Sequence, residues 1–339
     1  MMGRKFWVSL IMVLVIVHGP KVNAAESNQE TLPNGYTNHA ESHDLRQFSR
    51  VVEDDTVFLL DEEGDRMFVC KPDDRFSSEN VHIDPERGLL LQGTVIGEGE
   101  PGTDVPSEHQ RSAGVKTGQH YGDEFTFWSF APDPPTDQVR VDVYATVPRP
   151  LGAKAAIWSF ADAWYPGGES VISLEMDMIE AGGRPREWVD GSREGMFRYH
   201  PNLHCWFGGG SPWGHRSVQH MEPIELDFGP ENQEHKLSWE WRNGPTNEEK
   251  TLRYLIDDEV VYERCVADLK EEHPKLDRGG MEGVESTMSA KEIAEFMWDK
   301  PQHLYLWYGA DGEFFLSDTP QYGNDWPSEM VIRRIDVFR

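Results

Sequence analysis

From about Val57 to the C-terminus, short apolar runs recur with turn residues between them. Leu89–Gly93, Val139–Tyr144, Leu237–Trp241, Leu252–Ile256 and Met330–Phe338 each read as strands. Within Val139–Tyr144 and Leu237–Trp241 apolar and polar residues alternate, as in antiparallel strands with one buried face. Asp257-Asp258 falls between two such runs and predicts a hairpin turn. One helix is predicted, because Ser289 and Glu292 form a capping box and Ile293, Phe296 and Met297 follow at helical spacing. It comes after a polar insertion, 268–288, and is therefore expected to decorate a β fold. No strand–helix–strand alternation and no repeat of fixed period is present. Many short strands with few helices predict an all-β, two-sheet antiparallel β-sandwich in one domain.

The N-terminus has a different grammar. Arg4 and Lys5 precede an apolar run, Phe6 to Val17, and small residues follow at Val22-Asn23-Ala24. Twelve apolar residues are too few to span a bilayer comfortably, so the pattern reads as a secretory signal over 1–24, with an uncleaved anchor as the alternative. Residues 25–50 are polar and read as a linker or loosely held start, leaving 51–339 as a single domain. The expected product is exported, without membrane attachment once the signal is removed, and monomeric.

Composition narrows the partners. Of 339 residues, 60 are Asp or Glu and 32 are Lys or Arg, a formal net charge of −28. Such a chain repels nucleic acid and anionic lipid, so a nucleic-acid role is excluded. Cys70, Cys205 and Cys265 allow at most one disulfide, and their spacing matches no metal motif. A structural role for them outweighs a catalytic thiol.

The sharpest feature is Ser173-Leu174-Glu175-Met176-Asp177-Met178-Ile179-Glu180, three acids within six residues of an apolar strand. On a regular strand Glu175 and Asp177 share a face and Glu180 points away. A β-bulge around Met178-Ile179 would return Glu180 to that face. Acids packed this densely repel one another and lose hydration, which calls for a chemical reason. Retaining glycoside hydrolysis provides one, since it needs a carboxylate nucleophile beside a protonated carboxylic acid. Neighbouring charge raises the pKa of one member and so divides the roles.

The motif E-x-D-x-x-E on a strand resembles the signature of glycoside hydrolase family 16, jelly-roll endo-glycanases that include laminarinases, agarases and carrageenases. Further segments resemble the family in order from about residue 80 to the end. They are Ser112–Lys116 with Tyr121-Gly122, the run Val139 to Trp158 closing on Ala155-Ala156-Ile157-Trp158, His235–Trp239 with Tyr254–Asp257, and Trp326-Pro327 with Arg333–Arg339. Leu174 and Met176 depart from the usual neighbours of the first Glu, and the 268–288 insertion has no counterpart. The resemblance implies a concanavalin-like jelly roll with Glu175 as nucleophile, Asp177 as assisting acid and Glu180 as general acid/base. It also implies cleft positions for Trp158, Trp307 and His204. No cofactor is required. A structural calcium ion is implied as an option, with Asp336 as candidate ligand and an ordinary surface Asp as the alternative.

Sugar rings stack on flat apolar side chains, and five of the 12 Trp residues fall between 158 and 213: Trp158, Trp164, Trp188, Trp206 and Trp213. Trp164 is a candidate platform; Trp239 and Trp241 share a strand face and read as structural. Between 181 and 200 the chain holds Arg184, Arg186, Arg193 and Arg198 against Glu187, Asp190 and Glu194. Guanidinium groups bind sulfate through paired hydrogen bonds. The segment Arg193–His204 also resembles one in κ-carrageenases, so the polysaccharide is expected to be a sulfated galactan, with Arg193 and Arg198 as binding residues. The alternatives are a β-1,3(4)-glucan, a non-catalytic carbohydrate-binding jelly roll, or a polysaccharide lyase drawing on Tyr199, His200 and His204.

Overall fold

The computed structural model describes residues 32–33, 35–72, 76–100, 103, 105–119, 125–132, 137–148, 152–164, 171–182, 196–199, 201–207, 215–218, 224–230, 232–273, 288–310 and 326–339. The signal-like segment 1–24 lies outside them. Among the described residues no helix is long and apolar enough to cross a membrane.

In chain order the strands begin with β1 (His39–Asp44), β2 (Ser49–Glu53), β3 (Thr56–Leu60), β4 (Arg66–Cys70), β5 (Val81–Asp84), β6 (Gly88–Val95) and β7 (Gln110–Lys116). Two short strands, β8 (Gly118–Gln119) and β9 (Phe125–Thr126), pair with each other. Then come β10 (Gln138–Thr146), β11 (Ala153–Trp164), β12 (Val171–Gly182), β13 (Met196–Tyr199), β14 (Asn202–Phe207), β15 (His215–Val218) and β16 (Ile224–Asp227). The chain closes with β17 (Glu234–Arg242), β18 (Thr251–Ile256), β19 (Glu259–Cys265), helix α1 (Ala290–Met297), β20 (His303–Ala310) and β21 (Ser328–Phe338).

These strands form an antiparallel, curled double layer. One layer runs β5–β6–β21–β10–β17–β18–β19, with β1 on the far end of β21. The other runs β2–β3–β4–β7–β20–β11–β12–β14–β15, with β13 and β16 continuing from the end of β12. Strands β6 and β7 join the layers at one edge. The strands read from the sequence fall inside β6, β10, β17, β18 and β21. Asp257 and Asp258 turn the β18–β19 hairpin with φ of 50° and 69°, the left-handed geometry that two-residue hairpins use.

Between the layers, Val141, Val143, Trp239, Trp241 and Tyr254 of the first meet Ile157, Leu174, Met176, Leu203 and Leu306 of the second. Each such buried side chain contributes about 1.5–3 kcal/mol. Trp239 and Trp241 are core, as expected. Helix α1 carries the Ser289–Glu292 capping box and packs Ile293, Ala294 and Met297 into this core beside β12 and β14.

The polar start needs a correction. Residues 39–50 are not a loose linker, because β1 pairs with β21, and Leu45 and Phe48 are buried in the core. None of the three cysteines forms a disulfide; Cys70 and Cys205 are buried and Cys265 is half-buried.

Candidate active site

The acids of β12 share one face because of a single extra residue. In the β11–β12 ladder Ile157 pairs with Ile179, but the next pair is Trp158 with Asp177, so Met178 is bulged out of register. Glu180 therefore stands opposite Ala156, Asp177 opposite Trp158 and Glu175 opposite Phe160. Ala156, Trp158 and Phe160 alternate along β11 and so lie on one face, which brings all three acids to that face. Leu174, Met176, Met178 and Ile179 are buried. The bulge expected around Met178-Ile179 is present at Met178.

Strand β14 sets a nitrogen beside each acid. Trp206 donates its indole N–H to Glu175 at 2.7 Å. The Nε2 of His204 lies 2.8 Å from an Asp177 oxygen, and the Asn202 amide donates to Glu180 at 2.6 Å. Across the core, the Tyr254 hydroxyl donates to the Asn202 carbonyl at 2.8 Å and fixes the start of this donor strand. From β11, the Lys154 ammonium approaches Glu180 at 3.6 Å and sits over the Trp307 ring, 4.4 Å from its centroid.

Burial is the first cause pushing the Glu175 carboxyl up, to about 8. The Asp177 charge adds to it, His204 opposes it, Glu180 adds, and the Trp206 hydrogen bond opposes. Glu175 thus keeps its carboxyl proton at neutral pH. Glu175, Asp177 and His204 present ligand-type atoms within 4.8 Å of one another. The contacts to Trp206 and between His204 and Asp177 account for that closeness, so we read an acid cluster rather than a metal centre.

Aromatic rings border the acids. Trp158 stacks on Tyr305 with centroids 5.1 Å apart and planes 22° apart. Phe160 meets Tyr305 edge-on, and Phe76 meets Trp307 edge-on. Trp164, on the same face of β11, is 62% exposed. Trp206 is buried as a hydrogen-bond donor rather than presented as a sugar platform.

Among the expected binding residues, Trp158, His204 and Trp307 gather around the acids, and Trp164 lies farther along β11. Arg198 is placed on β13 opposite Gly182, its side chain not described. Arg193, Arg184, Arg186, Trp188, Trp213 and His200 lie outside the described residues. Tyr199 is wholly buried, and burial pushes its hydroxyl far up, which removes it as a lyase base. Asp336 is also buried rather than on the surface. It accepts from Ser42 and Arg334 at 2.7 Å each and lies 3.3 Å from His39. A carboxylate committed to a guanidinium and an imidazole does not fit calcium, which takes oxygen ligands. Asn202, Lys154 and Tyr305 were not anticipated as site residues; only the spacing of Asn202 and His204, two apart on one strand, hinted at the first.

No protein-family model matches the chain, and comparison with curated proteins finds no match. Solved structures do match in fold. One is a structure from work on endo-acting O-glycanases of the human gut microbiota that initiate mucin breakdown, at 14% identity, covering 91% of this chain and 92% of that one, with a TM-score of 0.51. Another is a β-porphyranase from the human gut bacterium Bacteroides plebeius, at 12% identity, covering 91% and 94%, also with a TM-score of 0.51. The chain therefore has the jelly-roll fold of these enzymes, the fold that the family resemblance implied.

Proposed function

We propose that this chain is a retaining endo-glycosidase that hydrolyses β-linked polysaccharide, with Glu175 as nucleophile and Glu180 as general acid/base. The observation that carries the proposal is the row of three β12 acids, each beside a nitrogen of β14. A binding module has no use for such a cluster. Retaining hydrolysis starts from one carboxylate and one carboxylic acid, and the cluster holds a proton up to about pH 8. Before substrate binds, burial keeps that proton on Glu175. A glycosidic oxygen accepting from Glu180 selects the alternative arrangement, with the proton on Glu180 and the charge on Glu175 facing the Trp206 N–H.

In the first step Glu180 protonates the glycosidic oxygen while a Glu175 oxygen attacks the anomeric carbon; the bond to the leaving sugar breaks and a glycosyl ester forms. In the second, Glu180 takes a proton from water, whose oxygen attacks the same carbon and releases Glu175 as carboxylate. Asp177, tied to His204, keeps negative charge beside the oxocarbenium-like centre. Trp158, Tyr305 and Trp307 offer ring faces for sugars.

Within this reading the substrate is a sulfated galactan, supported by Arg198 next to the end of β12 and by Arg184, Arg186 and Arg193, which precede it in sequence. A neutral β-1,3(4)-glucan is the rival. The 1–24 leader supports export, and the chain acts as a monomer without a cofactor. NMR of the first-formed anomer tests the mechanism, and inversion would overturn it. Reducing-end release from carrageenans, porphyran, agarose and laminarin, repeated with Arg198→Ala, tests the substrate; cleavage of laminarin alone would refute sulfate recognition and leave the acids standing.

A further inference from the structure

Lys154 is a cation buried where the fold had every chance to place an apolar residue. It is 6% exposed, lies in the run Ala153-Lys154-Ala155-Ala156, and points to the same face as Ala156 and the acids. Burying an ammonium costs several kcal/mol unless it is compensated. Its ladder partners are Gly182 on β12 and Gly309 on β20, neither with a side chain to stand between the ammonium and its neighbours. At Gly309 the space is taken from the other side, since a Cβ there would come 2.0 Å from the Ser112 hydroxyl. The Lys154 head thus reaches Glu180 at 3.6 Å and the Trp307 ring at 4.4 Å. A cation over an indole face is attracted by the ring quadrupole, which fixes the ammonium on one side while the carboxylate holds the other.

We propose that Lys154 is a positioning residue for the acid/base. Pinned between Glu180 and Trp307, its ammonium holds the Glu180 carboxylate in place together with Asn202 and favours its ionised form. Glu180 is then a base again once Glu175 carries the sugar. The proposal rests on Glu180 being the acid/base of the reaction above. The groups facing Glu180 give the balance. Asp177 on its own strand favours its proton, as does Glu175 whenever it is ionised, whereas Lys154 on β11 and the Asn202 amide on β14 favour its charge. His204 on β14 is engaged by Asp177, Trp307 on β20 is uncharged, and Arg198 on β13 stands two places along. When Glu175 is esterified it carries no charge, and Lys154, 3.6 Å away, is then the cation that faces Glu180.

The test uses an aryl β-glycoside of an oligosaccharide that the full-length enzyme cleaves. Its good leaving group makes breakdown of the glycosyl-enzyme rate-limiting, so the acid limb of kcat reports Glu180 in the intermediate. Lys154→Met is expected to move that limb up by about one pH unit, and Lys154→Arg to leave it in place. A uniform fall in kcat with an unmoved limb in a folded Lys154→Met protein would make the lysine merely structural and overturn the proposal. Should Lys154→Met not fold, Lys154→Gln carries the same reading. An inverted first anomer from the wild-type enzyme is a separate result that defeats the retaining mechanism itself.

Discussion

Asn202 stands opposite Asp177 in the β12–β14 ladder, yet its amide donates to Glu180, 2.6 Å away. The same displacement repeats along the strand. His204 is opposite Glu175 but contacts Asp177, and Trp206 is opposite Ser173 but donates to Glu175. All three β14 side chains lean one acid onward, so each acid has its own nitrogen neighbour. The bulge at Met178 makes this arrangement complete, because without it Glu180 would face the core. Each neighbour can therefore be removed singly, and the loss assigned to one acid.

Replacing Trp206 by Phe keeps the ring and removes the N–H that faces Glu175. A hydrogen bond to a charged group is worth about 1.5–3 kcal/mol. The expected result is a fall in kcat of roughly ten- to a hundred-fold. The N–H favours ionised Glu175, so the alkaline limb of kcat/KM should also move to higher pH. Unchanged steady-state rates across the pH range would show that the indole only fills space.

Glu175 also makes a prediction about stability. Its folded-state pKa, about 8, lies above the ordinary 4.5, so between those values the folded protein binds more protons than the unfolded chain. Stability then falls as pH rises through that window. Glu175→Gln removes the penalty and should gain a few kcal/mol relative to wild type between pH 5 and 8. Denaturant titrations at several pH values read this directly. A constant difference across the window would mean that Glu175 is ionised in the folded protein.

The acids and their bulge were legible in the sequence because charge on an apolar strand is costly enough to need a purpose. The strands were legible because alternation at period two has one structural meaning. Lys154 was not, since a lysine between alanines reads as a solvated side chain until the flanking glycines of two other strands are seen to clear its path. Asp336 misled for the converse reason: a carboxylate near a chain end looks exposed, and only the docking of β1 beside β21 buries it under Ser42 and His39. Tyr305 was hidden because its significance is a stack on Trp158, a contact made across strands some 150 residues apart in sequence.

The outer layer offers a control remote from the acids. Arg140 is 3% exposed and binds Asp142 at 2.6 Å, Asp258 at 2.6 Å and Glu240 at 3.2 Å. Arg140→Met leaves Asp142 buried without its cation, and burial already pushes that carboxyl up. The expected cost is about 3–5 kcal/mol of stability. Below the melting point the folded fraction should keep wild-type kcat. A loss of kcat without a loss of stability would place this cluster in the catalytic machinery, contrary to the fold.

The division of labour between the two outer acids is separable by the leaving group. Glu180→Gln keeps the Asn202 contact and loses the proton, so it should be nearly inactive on polysaccharide, where the departing oxygen needs protonation. An aryl glycoside leaves without that help, and its first step should survive in Glu180→Gln as a burst followed by slow turnover. Glu175→Ala removes the attacking oxygen itself and should be inactive on both substrates. It opens space beside the Trp206 N–H into which azide can enter, forming a glycosyl azide of inverted configuration. A burst from Glu175→Ala, or an inverted glycosyl azide formed by Glu180→Ala and not by Glu175→Ala, would exchange the two roles while leaving the cluster catalytic.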